Sequence, residues 1–535
     1  MAEPAAEIRL PRAAWVLLAL FAMLLVVTHE RLVVRQPDAA RFTFDGGEYA
    51  LAGRAWLETG RLVTPFVHPA ALGDSPGPPY PLLVGHPLVP ALDALAFALT
   101  GTSPDATLLP AMLAFVITVL LTARLALVLT GSRAAALAAA AACALHPWAL
   151  RYATEGLSEM PFAALYTAAL VVLAGFRSRP RPVLLGVLLG VAHLARPVAV
   201  PLLPAFALGV VLLAPPARRA VTLLRAALAF GPFAVALAFY YWSATGSPFP
   251  GAGGYLLLTG VDAEHAITRL NRMAPPPDAL AWIRAHPGLW LAKLVRNAGL
   301  LLSNGSWLAG RPFVVLALAT GALLARRREA RSAGFVLAVA AGAALVFALS
   351  AATVADSRML FPFLPVTLVL AFTGLARVAE GLARGRRAAV AALLALCAVA
   401  SAWPLARTWR QAAASERPVA GAFQEREWRG IGQAVRTMLP GDGLVASDAA
   451  PWIGWYVPRP VTLVPLAPDS LLTGPARLRP DAVVLTNEWL IHRPDEPAWR
   501  ECFERRTSPR GYTFAGHARA GRLEAVVFRR EGAPD

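Results

Sequence analysis

The segment Phe44-Asp45-Gly46-Gly47-Glu48-Tyr49 sets two carboxylates three residues apart. On a helix that spacing puts Asp45 and Glu48 on one face, with Tyr49 beside them. A carboxylate at a membrane surface, set against apolar side chains, is partly desolvated. Its pKa then rises toward neutrality, which suits a general base. An acidic first turn equally suits a helix N-terminus, where it complements the dipole.

Other residues could serve an anionic ligand. His86, in Gly85-His86-Pro87-Leu88-Val89-Pro90, can donate to a phosphate oxygen or simply start a helix. His146 to Glu159 gathers Arg151, Glu155 and Glu159 between apolar segments, where ionisable groups are costly unless they face a cavity. The alternative there is an ordinary connector. Arg196, before Pro197, and Arg358, in Asp356-Ser357-Arg358-Met359-Leu360-Phe361-Pro362-Phe363-Leu364-Pro365, each sit at the end of an apolar hairpin. An arginine so placed can hold a lipid phosphate bidentately, or it can snorkel to the interface. There is no Gly-rich phosphate loop, no His-Glu-x-x-His and no nucleophile elbow. The three cysteines, Cys143, Cys397 and Cys502, form neither a disulfide framework nor a zinc spacing. No metal and no cofactor is expected, with a divalent cation at the Asp45/Glu48 carboxylates as a minor alternative.

The elements that carry these residues are membrane helices. Of the 535 residues 57% are hydrophobic, and the apolar stretches run continuously for about 17 to 25 residues without strand-like alternation. The net charge of +17 does not point to nucleic acid, because the arginines cluster in short loops, at Arg177–Arg181, Arg326–Arg328 and Arg384–Arg387. That is the positive-inside pattern. Lysine occurs once, at Lys293, and alanine is abundant, a bias expected of a GC-rich prokaryotic genome.

A first span near 13–28 reads as a signal anchor with its positive end inside. It leaves an outer loop, 30–80, that carries the acidic segment and a Pro-rich run. Apolar segments near 82–101, 106–130, 133–149 and 157–175 follow. The charge pattern requires that one of these four is not a complete crossing. Two short spans over 183–214 turn at Arg196-Pro197, and another covers 221–242. A second outer loop, 243–311, holds Asp262, Glu264, His265, Arg269 and Arg272 and an amphipathic, Trp-rich piece. Spans near 312–325, 333–355, 359–378 and 389–405 complete about eleven crossings, thirteen at most. The N-terminus is expected inside and the C-terminus outside.

Residues 1–410 therefore read as a membrane domain and 416–535 as a small outer α/β domain. Within the latter a helix is expected at 427–439 and strands around Val445, Val461 and Val483. The tail is expected to help bind an acceptor.

In combination these features resemble the membrane-embedded glycosyltransferases of the GT-C fold, the group of dolichyl-phosphate-mannose protein mannosyltransferases and bacterial aminoarabinose transferases (glycosyltransferase family 39-like). Asp45, Tyr49, Gly53 and Gly60 fall close to that family's first-loop motif, with Gly46 where its second acid stands and Gly53 where it has alanine. His86-Pro87-Leu88 stands in place of its Lys-Pro-Pro-Leu. Arg358 with Pro362 and Pro365 is similar to its late Arg followed by Pro-x-x-Pro.

The resemblance implies a mainly α, polytopic transferase of the bacterial inner membrane. It would move a hexose or pentose, with inversion, from a polyprenyl-phosphate donor to a glycan, lipid or protein acceptor on the outer face. Asp45 would be the base, with Glu48 open as the replacement for the missing acid. Tyr49, His86, Glu159, Arg196 and Arg358 would bind substrate. The competing readings are a secondary transporter or lipid flippase, and an inactive scaffold of the same fold.

Overall fold

A computed structural model describes residues 9–34, 43–68, 71, 77–83, 86–176, 179–248, 256–262, 278–305, 311–326, 330–383, 387–400, 402–414, 424–439, 441–465, 467–472, 479–490 and 497–532. Asp74, Gly85, Glu264, His265, Arg269 and Arg272 lie outside the described residues, as do Arg177, Arg327, Arg328, Arg384 and Arg386. The chain forms two compact units. One comprises Met1–Leu32, Leu108–Ala236 and Leu294–Ala414; the other comprises Val33–Thr107, Leu237–Lys293 and Ser415–Asp535.

The first unit is helical. Among the described residues of the chain, five helices are long and apolar enough to cross a membrane: Arg12–Val33, Ala106–Thr130, Pro216–Thr245, Ala333–Ala352 and Ser357–Val378. The pair Arg133–Ala144 and Pro147–Ala153, bent by 59°, makes up to a sixth, and several apolar helices of 10–17 residues accompany them. Threonines in these helices are satisfied locally. Thr118, Thr122 and Thr130 each donate to the carbonyl four residues back at 2.7 Å, as hydrocarbon surroundings demand. Small residues allow close packing: a Cβ on Gly209 would come within 2.8 Å of Leu173 and 3.1 Å of Ala338.

The second unit is built on a six-stranded sheet in the order β2-β5-β4-β6-β8-β7. The short strands β1 (Val63–Thr64), β2 (Phe66–Val67) and β3 (Tyr80–Pro81) come from the loop after the acidic segment. The others are β4 (Val445–Ser447), β5 (Val461–Leu463), β6 (Ala482–Thr486), β7 (Tyr512–Ala520) and β8 (Leu523–Arg530). Strands β2, β5, β4 and β6 run parallel, and β8 and β7 close the sheet antiparallel. Both faces are covered, as parallel sheets require: Val445 and Val484 pack with Trp428 and Trp452, while Ala446 and Val483 pack with Trp499.

The segment 82–101, expected as a span, is helical only over Leu88–Thr100. Thirteen residues reach about 20 Å, short of a hydrocarbon core of about 30 Å. This helix belongs to the second unit and packs along the helix Phe44–Thr59. Its outer side exposes Leu95 and Leu99.

The same packing explains Gly53. A Cβ there would meet Asp93 Cβ at 2.8 Å and the Pro90 carbonyl at 3.0 Å. Gly53→Ala is expected to destabilise the protein by about 1–3 kcal/mol through overpacking, seen as a lower melting temperature in detergent; an unchanged melting temperature would show that the two helices yield.

At the C-terminal ends of the parallel strands Asp448 is buried and accepts from the Thr486 amide and hydroxyl, both at 2.9 Å. Burial pushes its carboxyl up to about 7 despite these bonds. Burial, and then the charge of Asp448, push Glu488 up to about 8. The folded state therefore holds protons that the unfolded chain gives up near pH 4. Stability on this account is fully present below about pH 4 and is lost as pH rises through about 7. Asp448→Asn is expected to flatten that decline, read from melting temperatures at pH 5 and pH 8.

Candidate active site

The acidic segment forms the start of a helix, Phe44–Thr59. Thr43 caps it, its hydroxyl accepting from the Gly46 amide at 3.1 Å. Gly60, at φ 66°, ends it in the left-handed conformation. Asp45 lies in the first turn, and Glu48 one turn on, as the spacing predicts.

Glu48 meets a residue that carried no role in the sequence reading: His68 Nε2 lies 3.1 Å from Glu48 Oε1. Both side chains are largely buried, at 14% and 19% exposure. With Tyr49, Thr64, Phe66 and Leu82 they line a cavity of about 20 Å³, room for about one water. Burial raises the Glu48 carboxyl above its ordinary range, with His68 working against the shift and Asp45 adding to it. At His68 burial works against the cation, but the charge and hydrogen bond of Glu48 outweigh it and Asp45 contributes; the imidazole keeps its proton above its usual range.

Asp45 thus acts electrostatically on a Glu48–His68 pair. Tyr240, from the helix Arg219–Thr245, supports this region by accepting from the Leu82 amide and donating to the Leu62 carbonyl, both at 2.7 Å. His86 stands just ahead of Leu88–Thr100, partly buried, and is not among the residues lining that cavity.

The first unit holds a second cluster, in which three sequence-predicted residues meet. Glu159 opens the helix Glu159–Ala174 and is 3% exposed at its side chain. Its Oε1 lies 2.6 Å from Arg196 Nη1 and 3.7 Å from Arg358 Nη1. Arg196 takes this position because Pro197 disfavours a helical residue before it. The helix Pro182–Ala195 ends, and Arg196 adopts an extended backbone at φ −155° and ψ 141° before Ala199–Leu213 begins.

Arg358 rides on a 3-10 turn, Ser357–Phe363, capped by Asp356. The Asp356 carboxylate accepts from the Arg358 amide at 2.9 Å and from Nε at 2.6 Å. Phe361 against Tyr152 and Phe363 against Tyr166, with ring centres 4.7 Å and 5.1 Å apart, fix that turn on its neighbours. Arg151 instead pairs with Glu155 at 2.6 Å. Among the described residues no group of three or more His, Cys, Asp or Glu is arranged to hold a metal ion.

Residues 79–242 match the model of the dolichyl-phosphate-mannose-protein mannosyltransferase family. No curated protein matches the chain in sequence. Among solved structures, the oligosaccharyltransferase of Archaeoglobus fulgidus in complex with zinc and sulfate is similar at a TM-score of 0.58 and 16% identity, over 88% of this chain and 67% of that one. ArnT from Cupriavidus metallidurans, bound to undecaprenyl phosphate, is similar at a TM-score of 0.55 and 14% identity, over 98% of this chain and all of that one. At such identities the likeness is one of fold. The chain is a multi-pass membrane protein with the GT-C fold of membrane glycosyltransferases, carrying a small sheet built largely from its C-terminal part.

Proposed function

We propose that the protein is a glycosyltransferase that moves one sugar from a polyprenyl-phosphate donor to an acceptor on the outer face of a bacterial inner membrane. The observation that carries this reading is the Glu159–Arg196–Arg358 cluster. Arg196 and the half-exposed Arg358 meet at the buried Glu159 carboxylate, Arg358 also pairing with Asp356, and ionisable groups gathered among apolar helices suit a cavity that takes a charged ligand. A lipid phosphate is such a ligand, and the ArnT structure of the same fold is bound to undecaprenyl phosphate.

On this reading the acceptor hydroxyl attacks the anomeric carbon of the donor sugar. Its proton passes to the Asp45 carboxylate as the carbon–oxygen bond to phosphate breaks with inversion. The bonding electrons leave on the polyprenyl phosphate, an anion of the kind that guanidiniums such as Arg196 and Arg358 can compensate. The Glu48–His68 pair holds the loop against the motif helix, and its charges set the field at Asp45. Tyr49 and His86 contact substrate.

The test is transfer by membranes containing the protein, offered radiolabelled polyprenyl-phosphate sugars beside the matching nucleotide sugars. Label is expected to move from the lipid donors only. No turnover from a panel of intact lipid donors would favour a transporter or an inactive scaffold.

A further inference from the structure

A second cavity in the second unit lies away from Asp45. It measures about 610 Å³ and is lined by Arg54, Arg429, Arg436, Gln433, Trp455 and Ser103, among others. Arg54 follows Asp45 by nine residues on the same helix, which turns it by about 180°. The cavity therefore opens on the far side of the motif helix and shares no lining residue with the small cavity at Glu48.

Its chemistry is cationic and aromatic. On the helix Glu425–Met438, Arg429, Gln433 and Arg436 fall at i, i+4 and i+7, one face. Arg54 donates to the carbonyls of Gly454 and Trp455, each at 3.0 Å, and lies over the Trp455 ring at 4.6 Å. Arg436 donates to the Tyr456 carbonyl. The carbonyls that anchor Arg54 and Arg436 are neutral and leave their positive charge in place.

The nearby acids are sparse. Glu425 pairs with Arg429 at 2.6 Å, and Glu58, 64% exposed, reaches Arg54 only at 3.9 Å. Burial presses against the Arg54 cation, Glu58 offsets part of this and the like charge of Arg436 adds to it. An anion entering the cavity would relieve both cations at once.

We propose that this cavity binds an anionic saccharide, a sugar bearing a carboxylate or phosphate, with the arginines on the charged group and Thr102, Ser103 and Gln433 toward the sugar hydroxyls. Forked guanidiniums suit both anions, and side-chain hydroxyl and amide groups suit the hydroxyls of a sugar ring. Its use as an acceptor subsite rests on the transferase reading; the binding itself does not.

The experiment is calorimetric titration of the purified full chain with trigalacturonate and glucose 1-phosphate, with maltotriose and inorganic phosphate as controls. Saturable binding of at least one anionic saccharide is expected, tighter than either control. The double variant Arg429→Gln/Arg436→Gln is expected to weaken it by about tenfold or more, a loss of about 1.4 kcal/mol. Glu425→Gln, which removes a carboxylate from the rim, is expected to tighten it and serves as the check should the double variant not fold. Binding of neither anionic saccharide overturns the proposal. So does equal binding of maltotriose or of inorganic phosphate, or binding that all these variants leave unchanged. Binding that persists in a chain without any transfer activity would overturn the transferase reading and leave this site standing.

Discussion

Asp45→Asn is expected to lower sugar transfer by about 10²- to 10⁴-fold, the usual contribution of a positioned general base, while the melting temperature stays close to that of the wild type. The substitution is nearly isosteric and lies in a first turn whose cap, Thr43, is untouched. Glu48→Gln is expected to act differently. It removes the charge that holds the proton on His68, so it should lower stability as well as activity. Full activity of Asp45→Asn at matched expression would move the base to Glu48 or to Glu159.

The second large effect is expected at the buried pair in the membrane unit. Arg196→Met leaves Glu159, 3% exposed, with Arg358 at 3.7 Å as its remaining arginine partner in the cluster. Breaking a buried pair from one side costs about 3–5 kcal/mol, and transfer should fall with it. Glu159→Gln/Arg196→Met removes both charges and should regain most of the stability, because replacing a whole pair is often neutral. Transfer should stay low if the guanidinium serves the phosphate. A double variant that recovers both properties would reduce the pair to a structural role.

Much of this site was legible in the sequence because it obeys local rules. Asp45 and Glu48 share a face through helical spacing alone, whereas the cap at Thr43 and the left-handed Gly60 that bound their helix came from the structure. Arg196 and Arg358 were conspicuous because cations beside proline among apolar residues are costly. Their meeting on Glu159 could not be read, since it depends on how helices far apart in the chain pack. His68 was visible as a loop residue without a role; its partner lies twenty residues back, and only the chain's turn through β1 and β2 joins them. Arg54 was hidden for a related reason, its acceptors being 400 and 401 residues away.

The span count was harder than the class. A 13-residue apolar helix such as Leu88–Thr100 has the composition of a crossing but not its length, because proline and glycine at 87 and 101 bound it. The hairpin of β7 and β8 was missed because β7, with Gly516, His517 and Arg519, lacks a clean alternation over Tyr512–Ala520.

The pairing of β2 with β5 bears on the order of synthesis. Residues Phe66 and Val67 find their ladder partners at Val461 and Thr462, and at about 5–20 residues per second the ribosome reaches them some tens of seconds later. Until then the strand after the acidic segment has an open edge and the motif helix lacks the tail it packs against. A chain cut short by premature termination would carry every membrane segment up to Ala414 and still leave that loop unfinished. Completion of translation thereby becomes a condition for assembling the acidic motif.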